Sequence, residues 1–176
     1  VKVAYADPPY PGCAHLYPEG VEVNHRVLIG TLCHEFPDGW ALSTSSPALR
    51  LVLPLCPADV RVGAWVKPFA VFKPNVNPAY AWEPVIWRGG RTRRERSEDT
   101  VRDWCAESIT LRKGLVGAKP PGFCLWLFDL LGLRRGDDLT DIFPGTGIVS
   151  TTWASLTADP EQTPLFGLPP EEPCST

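Results

Sequence analysis

The chain has 176 residues, 44% hydrophobic and 21% charged, with a formal net charge of -3 at pH 7. That size and balance suit one domain that buries most of its apolar surface, and they exclude a fibrous or wholly disordered chain. A small negative charge gives no global attraction to nucleic acid, so any such contact must come from a local patch.

Twenty prolines and fifteen glycines predict short elements separated by many loops. The six cysteines (Cys13, Cys33, Cys56, Cys105, Cys124 and Cys174) are widely spread and form no close C-x-x-C pair. This argues against zinc-site spacing and for reduced thiols in a cytosolic compartment. The longest apolar run, residues 123–133, is interrupted by Asp129 and too short to cross a bilayer, and the first residues lack a basic-then-apolar signal pattern. The expectation is a soluble, cytoplasmic protein with no membrane partner.

The first predicted strand, residues 1–5, runs directly into Ala6-Asp7-Pro8-Pro9-Tyr10. Proline has no N–H and a fixed φ, so Pro8 and Pro9 cannot continue a sheet ladder and the chain must leave the strand at Asp7. A carboxylate, a free carbonyl and an aromatic ring then share one stiff turn, which suits a planar, amine-bearing ligand. The bland reading is a strand exit with Asp as a turn former. The loop that follows, with His15 and Tyr17, lies beside this turn.

Helical spacing in Val23, Val27, Leu28, Leu32 and Phe36 predicts a helix that Pro37-Asp38-Gly39 ends. Residues 39–44 read as a second strand, and Ser46-Pro47 as the cap of a helix over residues 48–56. Val60, Val62, Ala64 and Val66 alternate in a third strand ending at Lys67-Pro68, and residues 80–87 form a fourth, interrupted at Trp82-Glu83-Pro84. Lys67 and Glu83, at or beside strand ends, are weaker candidates for the site, with surface charge the favoured reading. Arg88, Arg91, Arg93, Arg94 and Arg96 make the one dense basic patch, either a solvated loop balanced by nearby acids or a set of phosphate contacts.

A helix over residues 124–133 and a strand over residues 139–143 come next. The strand runs into Pro144-Gly145-Thr146-Gly147 and a helix near residues 150–156. A glycine-bearing turn from strand to helix lets a ligand approach the backbone, though the same pattern serves an ordinary tight crossover. Alternating strands and helices predict an α/β sheet with crossover helices over residues 1–156, and a proline-rich tail over residues 157–176.

Two motifs together carry a family resemblance. Asp7-Pro8-Pro9-Tyr10 resembles the catalytic motif of the amino-methyltransferases that use S-adenosylmethionine, and Asp141-Ile142-Phe143-Pro144-Gly145-Thr146-Gly147 resembles their D-x-F-x-G-[ST]-G cofactor motif. Lys119-Pro120 is similar to the lysine-proline segment of that family. The catalytic motif comes first, as in the circularly permuted branch that includes adenine methylases related to the messenger-RNA methylases. The resemblance implies a single-domain, Rossmann-like class I methyltransferase sheet, permuted and with fewer than the full seven strands.

It further implies an enzyme that methylates the exocyclic N6 of adenine in DNA. An RNA adenine or cytosine-N4 methyltransferase, or a catalytically silent nucleic-acid-binding partner of the same fold, are the alternatives. Asp7, Pro8, Pro9 and Tyr10 would be catalytic. Asp7, Lys119, Pro120, Asp141, Phe143, Gly145, Thr146 and Gly147 would line the S-adenosylmethionine site. The arginines at 88, 91, 93, 94 and 96 would contact nucleic acid, no metal is expected, and a homodimer or partner subunit would be compatible with so small a domain.

Overall fold

The computed structural model describes residues 1–17, 20–68, 76–91, 100–109 and 118–158. In β1 (Lys2–Ala6) the residues from Val3 to Ala6 are each no more than 1% exposed, so the strand is covered on both faces. Continuous apolar character of this kind belongs to a parallel strand with helices above and below. Helix α1 (His25–Glu35) follows, its first turn capped by the Asn24 side chain, which accepts from the Val27 N–H at 3.2 Å. Its crossover sets β2 (Gly39–Ser43) parallel to β1.

A short helix, α2 (Leu49–Val52), continues as a 3-10 turn over Leu53–Leu55 and leads to β3 (Arg61–Val66). The chain then returns as β4 (Trp82–Gly89), inserted antiparallel between β3 and β2, and adds β5 (Trp104–Ala106) parallel to β3. Helix α3 (Pro121–Leu131), β6 (Asp138–Asp141) and α4 (Ile148–Thr157) complete the order, with β6 parallel to β1. Across the six-stranded sheet the order is β5-β3-β4-β2-β1-β6. Only β4 runs against the others.

Each face of the sheet has its own core. Val3, Tyr5, Ala41, Trp65, Val85 and Trp87 pack beneath α3 and α4, against Phe123, Leu127, Phe128, Leu131 and Val149. Ala4, Ala6, Trp40, Leu42 and Ile86 face the other way, against Leu28, Ile29 and Leu32 of α1 and Val52 of α2. The helices connecting β1 to β2 and β6 to its neighbourhood thus lie on opposite faces. In such sheets this opens a crevice beyond the carboxyl ends of the two strands, a position favoured by ligands.

Several sequence expectations need correction. In β3 the buried residues are Gly63 and Trp65, while Val62 is 37% exposed, because the large indole takes the inner face and the valines turn outward. The helix expected over residues 48–56 is one α-turn plus a 3-10 turn, and its entry is held by Ser45, whose Oγ accepts from the Ala48 N–H, rather than by Ser46. Helix α3 begins at Pro121, three residues early, since proline at a first helical position loses no hydrogen bond. Strand β5 was not anticipated: three residues are too few to display a period. The tail lies outside the described residues from residue 159 onward.

No helix among the described residues is long and apolar enough to cross a membrane. The five described cysteines are free thiols.

Candidate active site

Strand direction decides which residues meet. The carboxyl ends of β1, β2, β3 and β6 lie along one edge, so Asp7, Ser43, Lys67 and Asp141 fall together there. Because β4 is reversed, that edge also receives its amino end, with Glu83 in register opposite Trp65. Lys119 arrives from above, immediately before α3, where Pro120 and Pro121 hold the chain extended up to the helix start.

A network of ion pairs and hydrogen bonds joins these groups. Lys119 Nζ lies 3.0 Å from Asp7 Oδ1 and 2.9 Å from Oδ2, and donates to Glu83 Oε2 at 3.3 Å. Glu83 Oε1 is paired with Lys67. The Tyr10 hydroxyl donates to Glu83 Oε2 at 2.9 Å and lies at 3.4 Å from Asp7 Oδ1. Beneath both ammonium groups lies the Trp65 ring, its centroid 4.8 Å from Lys67 Nζ and 5.3 Å from Lys119 Nζ, a cation–π arrangement that offsets part of the cost of burying them. Two carboxylates and two ammonium groups leave the cluster formally neutral.

Burial sets the titration of each group against its neighbours. It raises the Asp7 carboxyl above the ordinary value, opposed by Lys119. It also pushes Glu83 upward, but Lys119 and Lys67 outweigh it and hold this carboxyl below its ordinary value. Lys119, driven down by burial, is raised overall by Asp7 and Glu83 and stays charged. Tyr5, buried with its hydroxyl 2.7 Å from Ser43 Oγ, and Tyr10 are both raised well above the ordinary phenol value by burial and then by the Asp7 charge.

Asp141 is different. No side chain pairs with its buried carboxylate oxygens, and burial, opposed by the Phe143 backbone N–H and helped by the Asp7 charge, pushes its carboxyl up to about 6. Beyond it the chain turns through Phe143, Pro144, Gly145 and Thr146, where the Gly147 N–H donates to the Pro144 carbonyl before α4 begins. Gly145 and Gly147 have φ of 47° and 71°. That left-handed backbone disfavours a side chain, and a Cβ at either position would meet nothing closer than 3.8 Å. An orphaned carboxylate beside two glycines with open space is the environment a cationic group with a large attached body would fill.

Of the residues singled out from the sequence, Asp7, Tyr10 and Lys119 are brought into direct contact, with Pro8 and Pro120 buried beside them and Pro9 half-buried. Asp141, Phe143, Gly145, Thr146 and Gly147 line the neighbouring turn. Arg88 and Arg91 are not brought to this edge: Arg88 lies near the far end of β4 and Arg91 just beyond it, where Arg88 pairs with Asp59 and Arg91 Nη2 donates to both carboxylate oxygens of Asp137. Arg93, Arg94 and Arg96 lie outside the described residues.

Glu83 and Lys67, read from the sequence as surface charges, are 16% and 15% exposed and belong to the cluster. A signal for them was present: Asp7, Lys67, Glu83 and Lys119 each stand immediately before a proline. An X-Pro pair is held extended and lacks one ladder donor. Asp7 and Lys67 stand just past the ends of β1 and β3, whereas Pro84 lies inside β4 and Glu83 reaches the same rim as the second residue of that strand.

The sequence matches no protein-family model and no curated protein. The fold, by contrast, is similar to solved structures. Against the crystal structure of the M1.HpyAVI–SAM complex, a complex with S-adenosylmethionine, the TM-score is 0.62 at 14% identity, covering 89% of this chain and 78% of that one. Against M1.HpyAVI alone the TM-score is 0.53 at 13% identity, covering 90% and 77%. The architecture is thus the mixed α/β, Rossmann-like sheet of the methyltransferase fold, with six strands rather than seven among the described residues.

Proposed function

We propose that this chain transfers a methyl group from S-adenosylmethionine to an exocyclic aromatic amine, the N6 of adenine in DNA. The observation that carries the reading is the juxtaposition of Asp7, just past the end of β1, with Asp141, which ends the adjacent β6 and has no side-chain partner. One offers acceptors to an amine; the other offers an unneutralised carboxylate to a cation. The DPPY turn and the order of the two motifs favour adenine, and the methyltransferase architecture supports the reaction class.

When bound, S-adenosylmethionine supplies an electrophilic methyl group on a sulfonium. Asp141 would take its methionyl ammonium, and the bare backbone at Gly145 and Gly147 would admit its bulk. Phe143 and Thr146 would border it, and Lys119-Pro120 would close the side facing α3. An amine conjugated with a purine ring is a poor nucleophile, because its lone pair is delocalised. The Asp7 carboxylate and the Pro8 carbonyl would accept its two hydrogens and turn the lone pair toward the methyl group. Catalysis would then rest on positioning and fixed charge, and the surplus amine proton would be lost to solvent after the methyl group has moved from sulfur to nitrogen.

Tyr10 would stack on the base, a contact worth about 1–3 kcal/mol in proteins that bind single strands. In a duplex the base must first be rotated out of the helix. The cytoplasmic setting, a partner subunit and phosphate contacts from Arg93, Arg94 and Arg96 belong to the same proposal. Arg88 and Arg91 are committed to Asp59 and Asp137.

The test is Asp7→Ala. Methyl transfer is expected to fall below detection, while circular dichroism and the calorimetric heat of S-adenosylmethionine binding remain near those of the unaltered protein. Wild-type turnover in the variant would overturn the assignment. An absence of heat in the unaltered protein would favour a silent, nucleic-acid-binding relative.

A further inference from the structure

Tyr10 sits in a stretch with no regular structure, after two prolines, yet the proposed chemistry needs its ring fixed beside Asp7. Its hydroxyl has two possible acceptors, and the nearer one is Glu83, at 2.9 Å against 3.4 Å for Asp7. Glu83 is well placed to act as a fixed point. It belongs to β4, which has β3 on one side and β2 on the other, and its neighbour Pro84 accepts from the Thr44 N–H at 3.1 Å. Both carboxylate oxygens are committed, Oε1 to Lys67 and Oε2 to Lys119 and Tyr10.

We propose that Glu83 is a positioning residue for the transfer reaction: it anchors the Tyr10 ring through its hydroxyl and shares the Lys119 ammonium with Asp7. The inference rests on the reading of Asp7 as amine acceptor and Tyr10 as stacking ring, and adds a residue to it. A ring held at both the backbone and the para position loses little further freedom when a base stacks on it, so the ordering cost is met before binding.

The second part concerns charge. Lys119 touches both oxygens of Asp7, and with no other acid in reach its whole charge would bear on that carboxylate. Glu83 draws part of that charge away. Asp7 thereby keeps acceptor strength for an incoming amine while staying paired with Lys119. Lys67, on the opposite oxygen of Glu83, balances the extra acid and lets it stay charged in a site that is mostly closed to water.

The experiment is a double-mutant cycle with Tyr10→Phe and Glu83→Ala, measured as kcat and KM with S-adenosylmethionine and an adenine-containing DNA oligonucleotide. Glu83→Ala is expected to lower kcat roughly 10–100-fold, the scale of a small misplacement of a reacting group, with the KM for S-adenosylmethionine little changed. Tyr10→Phe should add little to the loss in the Glu83→Ala background. Glu83→Gln, which keeps an acceptor for the tyrosine hydroxyl, should recover part of the rate. Fully additive losses, or a wild-type kcat in Glu83→Ala, would overturn the proposal.

If Glu83→Ala does not fold, Glu83→Met, which keeps most of the bulk but removes the carboxylate acceptor, replaces it throughout, with the same pattern of losses expected. Thermal unfolding of the same four proteins gives a reading independent of catalysis. If the unaltered protein methylates nothing, the role of Asp7 fails. Coupled losses of stability would still support the Glu83–Tyr10 anchor, whereas additive ones would refute it.

Discussion

No basic side chain among the described residues neutralises Asp141, and only the Phe143 backbone N–H opposes the effect of burial. Its carboxyl titrates near 6 instead of 3.8, because burial disfavours the ionised form in the folded chain. The unfolded chain releases this proton more readily, so stability should fall as pH rises from the ordinary value to about 6 and stay lower above it. Asp141→Asn removes that penalty. It is expected to raise the melting temperature at pH 7.5, where the native carboxylate is charged, and to change it little at pH 4.5. The same substitution should abolish S-adenosylmethionine binding, and the affinity of the unaltered protein should increase with pH through about 6. A pH-independent affinity would remove Asp141 from the cofactor site. At this scale the sequence was most legible where a residue type and its neighbours restrict the backbone. Asp7 before Pro8-Pro9 follows the end of β1, and Gly145 and Gly147 on either side of Thr146 take left-handed backbone. Glu83 and Lys67 were misread as surface charges because their burial depends on which strands meet at the edge, and a local window does not contain that information.

Trp65 links the site to the sheet. Its indole N–H donates to the Glu107 carbonyl at 2.8 Å, next to β5, and its ring packs at 5.3 Å from Phe123 of α3 while underlying both lysines. Trp65→Ala should therefore cost about 3–5 kcal/mol in unfolding free energy, the usual range for an aromatic truncation in a core. Trp65→Phe keeps the apolar body but leaves the Glu107 carbonyl without its donor, and should cost less, about 1–3 kcal/mol. Denaturant unfolding separates the two; equal and small losses would mean that Trp65 is not a keystone of this face. The element types of β1, α1, β2 and β6 were readable because each has an apolar run or a helical period with a turn signal at its end. The inner face of β3 was not, since both sets of alternating residues contain apolar side chains and only the packing of Trp65 under α3 selects between them. Nor was the reversal of β4, which pairs antiparallel with both β3 and β2.

For the whole molecule, the single reversed strand has a large consequence. It brings Glu83 to the edge shared by Asp7 and Asp141 and carries Arg88 and Arg91 to the opposite edge, into pairs with Asp59 and Asp137. The basic patch that looked continuous along the chain is therefore not presented as one surface next to the site among the described residues. The fold class was legible from the alternation of elements and from the two motifs, whereas the sidedness of the charges required the strand directions. The central claim is that this edge moves a methyl group onto the N6 of adenine. Its most direct test is incubation of the chain with isotopically labelled S-adenosylmethionine and matched DNA and RNA oligonucleotides, followed by digestion and nucleoside mass analysis. The account predicts labelled N6-methyladenine from DNA and none when Asp7→Ala is used. Label confined to cytosine or to RNA, or no labelled nucleoside at all, would contradict it.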